Sequence, residues 1–149
     1  MRLPPQESPC HPLGVSLYRV LVVEDNPHVS EIFRYAFRRI VRERLGKEVE
    51  VRVDEASDGR QAWEMLGDAQ LGPYDLVVLD LMLPVLEGGE LLSRLRGDPR
   101  FAEVPVVVIT AADPDSCEDA RASGATVVLR KPVQFNQIRD VVAEILPGE

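Results

Sequence analysis

Apolar residues in this chain recur in two rhythms. Short continuous runs, "YRVLVV" (18–23), "DLVVLD" (75–80), "VPVVVIT" (104–110) and "ATVVLR" (125–130), alternate with stretches in which apolar positions return every three or four residues. A run without a polar face reads as a strand covered on both sides, and a three-to-four spacing reads as a helix with one apolar face. After the first run, "EDNP" supplies an acidic turn, a capping residue and Pro27 at the first helical position. Val29, Ile32, Phe33, Ala36, Phe37, Ile40 and Val41 then form the expected buried stripe of a helix that Gly46 ends. "EVEVRV" alternates strictly, with Val49, Val51 and Val53 on one side, as expected of a half-exposed edge strand.

The same rhythms continue to the end. A short helix follows Asp58-Gly59 and carries Ala62, Met65, Leu66 and Ala69; "GGELLSRLRGD", "SCEDARASG" and "VQFNQIRDVVAEIL" supply three more helices. Five strands alternating with five helices predict an α/β fold, a parallel sheet with helices on both faces. Residues 1–16 break the pattern: Pro4, Pro5, Pro9 and Pro12 with few apolar residues predict a flexible leader before a single domain over 17–149.

Composition narrows the function classes. The chain has 149 residues, room for one domain with a real core. Its formal charge of −8 disfavours direct nucleic-acid binding, and no apolar run reaches the roughly 20 residues of a membrane span. Cys10 and Cys117 have no metal or redox spacing and read as free thiols, which, with no signal or transit pattern, gives a cytoplasmic expectation.

The charges fall at strand ends. The first strand ends in Glu24-Asp25, the third in Asp80, the fourth in Thr110 and the fifth in Arg130-Lys131-Pro132. In a doubly wound parallel sheet the carboxyl ends of the strands share one rim, where ligands bind. Three carboxylates there repel one another unless a cation sits among them. Mg²⁺ suits Glu24, Asp25 and Asp80, and there is no His or Cys cluster for zinc; His11 and His28 are isolated. Lys131 and Thr110 add an ammonium and a hydroxyl for phosphoryl oxygens. There is no GxxxxGK[ST] or GxGxxG loop, so no nucleotide substrate is suggested. Each group alone has a bland reading as a cap, a strand residue or a solvated lysine; the coincidence of four at four strand ends carries the inference.

These residues resemble a known family. "VLVVEDN", "DLVVLDLMLPVLEGGELL", "VPVVVITA" and "GATVVLRKPV" look like the receiver domain of two-component response regulators, from about Tyr18 to Leu146. The resemblance implies a flavodoxin-like (βα)5 fold with strand order 2-1-3-4-5. It also implies that Asp80 is the phosphoacceptor and that Glu24, Asp25, Asp80 and the Met82 carbonyl hold Mg²⁺. Thr110 would be the switch hydroxyl, Lys131 the fixed cation, and Lys131-Pro132 a cis peptide. The implied partner is a sensor histidine kinase or histidine phosphotransfer protein, with an unidentified protein target downstream and no direct nucleic-acid or membrane partner. The implied activity is that of a signalling domain catalysing only its own phosphorylation and dephosphorylation, here in single-domain form. Its readout would pass through the fourth helix, fifth strand and fifth helix. Val128 and Val133 stand where the family often carries aromatics, and Met82 and Ala112 flank the implied route of attacking water, which predicts a long-lived phosphoryl group. The first helix is unusually basic, with Arg34, Arg38, Arg39, Arg42 and Arg44. A phosphorylation-independent scaffold and a Mg²⁺-dependent hydrolase are the rival classes.

Overall fold

The computed structural model of the protein describes residues 16–146. Ten elements alternate without interruption: β1 (Ser16–Val23), α1 (Pro27–Leu45), β2 (Val49–Ala56), α2 (Gly59–Leu66), β3 (Leu76–Leu79), α3 (Gly88–Gly97), β4 (Val106–Thr110), α4 (Pro114–Ala122), β5 (Val127–Arg130) and α5 (Phe135–Ile145). All strand pairs are parallel and the sheet order is β2-β1-β3-β4-β5. This is the flavodoxin-like order that the resemblance implied. The expected leader lies outside the described residues except Ser16, which opens β1 opposite Val49.

Strand side chains alternate between the two faces. Leu21, Val23, Val77, Leu79, Val106, Val108 and Val128 pack on one side with α2, α3 and α4. Val20, Val22, Leu76, Val78, Val107 and Ile109 pack on the other with α1 and α5. Both faces are therefore apolar, which is why the central strands read as unbroken apolar runs. Each such side chain contributes about 1.5–3 kcal/mol when fully buried, so the sheet is a firm platform for the loops at its ends.

Helix α1 shows how local sequence sets its limits. The Asn26 Oδ1 accepts hydrogen bonds from the backbone N–H groups of His28 (2.9 Å) and Val29 (3.2 Å), Pro27 needs no such partner, and Gly46 ends the helix at φ +91°. Its buried face comprises Ser30, Phe33, Ala36, Phe37, Ile40 and Val41. Ile32, expected in that stripe, is instead 63% exposed. At about 100° per residue it lies a full step off the line through Phe33, Phe37 and Ile40. Ser30 takes the buried place because its hydroxyl donates to Glu55 Oε1 at 2.7 Å. At the other end of the helix, Arg44 Nε donates to the Leu146 carbonyl at 2.6 Å, tying α1 to the end of α5.

The edge strand β2 keeps the alternation expected of it, with Val51 buried and Glu50 and Arg52 exposed, and runs on to Ala56. Helix α2 ends before Ala69, which is exposed in the following turn rather than on the expected helical face. Among the described residues no helix is long and apolar enough to cross a membrane.

Candidate phosphoryl-accepting site

The backbone beyond the strands holds the site residues in register. Asp80 N–H donates to the Val23 carbonyl (3.1 Å), Glu24 N–H to Ala56 (3.0 Å) and Lys131 N–H to Thr110 (2.9 Å). The sheet ladder thus continues one step past its formal ends and sets Glu24, Asp80, Thr110 and Lys131 side by side. Glu24, Asp80 and Thr110 are buried, while Asp25 faces solvent.

Their side chains form one circuit. Lys131 Nζ lies 2.6 Å from Glu24 Oε1 and 2.8 Å from Asp80 Oδ2. Thr110 Oγ1 donates to Asp80 Oδ1 at 2.7 Å, and the Met82 N–H donates to the same oxygen at 3.0 Å. The second oxygen of Glu24 accepts from Asn26 N–H at 3.1 Å, and Thr110 in turn accepts from Ala112 N–H at 3.2 Å. Every buried charge in this group has a partner, as a low-dielectric site requires.

Electrostatics follow from burial. Desolvation raises the Glu24 carboxyl above its ordinary value; the hydrogen bonds from Lys131 and Asn26 offset this in part, and the nearby Asp80 adds to it. For Lys131 burial acts downward, yet hydrogen bonds to Asp80 and Glu24 prevail and hold its ammonium above its ordinary value. Ligand oxygens of Glu24, Asp25 and Asp80 all lie within 4.8 Å of one another. Three carboxylates against one ammonium leave two negative charges when all are ionised, which matches a hard divalent cation with oxygen ligands. The donor set fits Mg²⁺.

Two backbone features shape the loop after Asp80. Gly88 opens α3 against the acceptor's own backbone: a Cβ there would collide with the Asp80 carbonyl oxygen and lie 2.6 Å from Leu81 Cα. Val85 adopts φ +68° and is 77% exposed, a left-handed conformation unusual for a β-branched residue. A groove of about 690 Å³ opens beside the acceptor, lined by Asp25, Met82, Pro84, Glu87, Ala112 and Asp113 among others.

All the side chains expected at the rim therefore meet. The Lys131-Pro132 peptide is cis, as the resemblance implied, and Gly72-Pro73 is a second cis bond that the sequence reading did not single out. Cys117 is a free, buried thiol; Cys10 lies outside the described residues. The backbone donors at Asn26, Met82 and Ala112 were not anticipated, because an N–H carries no residue-type signature. Val128 is buried among the α2–α4 side of the core.

Comparison with known proteins places this geometry. The sequence model of the response regulator receiver domain matches residues 20–143. Two-component response regulator ORR41 of Oryza sativa subsp. japonica is 33% identical over 129 residues, covering 86% of this chain and 94% of the relative. Sensor histidine kinase TmoS of Ectopseudomonas mendocina is 33% identical over 130 residues, 86% of this chain. The chain spans only 12% to 13% of the length of that kinase and of the autoinducer 2 sensor kinase/phosphatase LuxQ of Vibrio harveyi. Among solved structures, the receiver domain of a sensor histidine kinase from Pseudomonas aeruginosa PAO1, with a magnesium ion coordinated in its active site cleft, superposes with a TM-score of 0.69 at 25% identity, covering 87% of this chain and 97% of that one. With its sheet order, its acidic rim and a family match over most of its length, this chain belongs to the response regulator receiver domain family.

Proposed function

We propose that the protein accepts a phosphoryl group on Asp80 from a phosphohistidine of a sensor kinase or phosphotransfer protein, and that the product changes a partner-binding surface. The observation that carries this reading is the placement of one ammonium and one hydroxyl, from two different strand ends, on the two oxygens of a buried carboxylate. A carboxylate held this way is oriented for attack, and the same donors are in reach of oxygens that arrive with a phosphoryl group.

In the reaction, an Asp80 carboxylate oxygen forms a bond to phosphorus while the phosphorus–nitrogen bond of the donor breaks. The bonding pair leaves with the imidazole nitrogen, which takes up a proton from solvent as needed to become neutral. Lys131 and Thr110 transfer hydrogen bonds to phosphoryl oxygens, and the backbone N–H groups of Met82 and Ala112 border the same space. Glu24, Asp25, Asp80 and the Met82 carbonyl would hold Mg²⁺. When bound, the ion supplies charge neutralisation for the phosphoryl oxygens.

The domain catalyses only its own phosphorylation and dephosphorylation. Met82, 60% exposed, and Ala112, buried, carry no side-chain group able to orient a water on the acyl phosphate, so the phosphoryl group should last many minutes in Mg²⁺ buffer. Drawing Thr110 and the loop that follows it toward the phosphoryl oxygens would bias the α4, β5 and α5 surface. Buried Val128 cannot act as a mobile ring in that shift, which leaves the loop backbone as the carrier.

Intact-mass measurement after incubation with acetyl phosphate and Mg²⁺ tests this reading. One added phosphoryl group in the wild type and none in Asp80→Asn supports it. No addition to either, together with no stabilisation by Mg²⁺, would replace it with a phosphorylation-independent scaffold.

A further inference from the structure

The chain is acidic overall, yet α1 carries five arginines against two glutamates. Arg34 pairs with Glu55 of β2 at 3.6 Å, Arg39 bonds Glu43 at 3.1 Å, and Arg44 donates to the Leu146 carbonyl. Arg38 and Arg42, with Lys47 just beyond the helix, are exposed and have no ion pair among the described residues. Arg34, Arg38 and Arg42 follow one another at four-residue steps, so the stripe that Arg34 starts beside β2 continues down the flank of that edge strand. Cations in the last turn complement a helix dipole, which accounts for Arg42 and Arg44. It does not account for Arg38, a turn earlier, or for Lys47, outside the helix, and the like charges of Arg38 and Arg42 at i and i+4 work against the helix.

The three cations converge on one hollow. They line a groove of about 170 Å³ against Val49, Glu50 and Val51 of β2, and a larger one of about 730 Å³ that also takes in Tyr35, Arg39 and Glu43. Four cations against two carboxylates give these walls a net charge of +2 in a chain whose formal charge is −8. On the strand side the hollow meets the outer edge of β2, which pairs only with β1 and so presents backbone groups without a strand partner. Tyr35 is 63% exposed, and its hydroxyl accepts from Arg39 Nη1 at 3.4 Å, so a flat ring stands in the wall of the larger groove.

We propose that this hollow is a binding site for a small nucleotide with two adjacent phosphates, of the nucleoside diphosphate class. The phosphates lie among Arg38, Arg42 and Lys47 against the edge of β2, and the base stacks on Tyr35 in the larger groove. A phosphate monoester carries about −1.5 to −2 charges at pH 7, so two such groups balance three cations to within about one charge, and one group leaves a cation unmatched. Arginine forks pair with phosphate oxygens bidentately, and lysine adds a point charge. Stacking on an aromatic ring holds a base without selecting which base it is, so the site counts phosphates more than it distinguishes bases. The chain has no glycine-rich phosphate loop, and recognition rests on side chains. A lipid headgroup offers the same phosphate chemistry with no base for Tyr35. The site does not depend on phosphoryl acceptance by Asp80.

Adenosine diphosphate, titrated at low salt and without divalent cations into the ¹⁵N-labelled protein, is the probe. It should shift the amide signals between Tyr35 and Val51 saturably and bind roughly tenfold or more tightly than adenosine monophosphate. Arg38→Ala combined with Arg42→Ala should weaken the diphosphate about tenfold or more, and Lys47→Ala about threefold. Tyr35→Leu should weaken adenosine diphosphate and leave the affinity for inorganic pyrophosphate unchanged. Every variant should melt near the wild type and accept a phosphoryl group from acetyl phosphate at its rate, so loss of this site is distinguishable from a failure of the Asp80 reading. Equal affinity for the diphosphate and the monophosphate, shifts confined to the acidic rim or to other elements, or no saturation at millimolar nucleotide would overturn the proposal. So would tighter binding of anionic lipid vesicles or of single-stranded DNA than of adenosine diphosphate.

Discussion

At the carboxyl ends of the strands, Glu24, Asp80 and Thr110 are buried, Lys131 is half-buried, and the four are bonded to one another. At the far end of α1, Arg38, Arg42 and Lys47 line open grooves with no ion pair among the described residues. The first group is charge held in a low dielectric, where geometry is fixed and every missing partner is felt. The second is charge in water, where each interaction is weak, screened by salt and free to meet something from outside. The two poles differ in solvent exposure more than in residue type.

The largest test of that contrast is Asp80→Asn. It should abolish the single phosphoryl gain measured by intact mass while leaving the fold intact; persistence of the gain would move the chemistry elsewhere and dissolve the distinction. Next comes Lys131→Ala, which strips Glu24 and Asp80 of their shared cation. Breaking a buried pair costs about 3–5 kcal/mol, but the Lys131 side chain is 23% exposed, so a loss of about 2 kcal/mol is expected in urea denaturation. Millimolar Mg²⁺ should recover part of it. A loss below about 0.5 kcal/mol would class the rim with ordinary surface pairs.

Gly88→Ala probes the same pole through its backbone. The added Cβ meets the Asp80 carbonyl and Leu81, and overpacking of this kind costs about 1–3 kcal/mol. Thermal melts should drop and phosphoryl acceptance should slow with them, because the loop carrying Met82 must move.

A smaller effect concerns pH. The Glu24 carboxyl is raised above its ordinary 4.5 in the folded chain, chiefly by burial. Between the unfolded and the raised folded value the native state holds more protons, so ionising Glu24 subtracts stability as pH rises through that window. In cation-free buffer the stability difference between wild type and Glu24→Gln should therefore decline from pH 4.5 upward and then level off. A flat difference would mean that the Lys131 bond fully offsets burial. Smallest of all, Arg38→Ala, Arg42→Ala and Lys47→Ala should each change stability by less than about 0.5 kcal/mol; a larger loss would show that the far pole has structural work of its own.

Much of this was legible in the residues. Runs such as Leu76–Leu79 and Val106–Thr110 announce central strands because both of their faces are covered, and the charges that end them can only gather at one rim once the sheet is parallel. Strand order rested on the resemblance, since periodicity does not say which strands are neighbours. Ile32 misled because an apolar residue beside a buried stripe satisfies the helical spacing whether or not it is inside it. The bond from Arg44 to Leu146, 102 residues apart in sequence, and the reach of Lys131 to two carboxylates at once depend on long side chains whose endpoints no local pattern encodes. Buried Ser30 was missed for a related reason: only its distant acceptor, Glu55, makes its position tolerable.

The Asp80 carboxylate already accepts three hydrogen bonds, from Thr110, Met82 and Lys131. On the proposed reading a phosphoryl group would arrive with acceptor oxygens of its own, so writing it onto the aspartate would trade bonds among the same donors without stranding any of them. The two occupancies of the site would then share one set of donors. A store with those properties holds one bit, can be rewritten many times without unfolding its container, and leaves the lifetime of the message to be set by whatever gives water access.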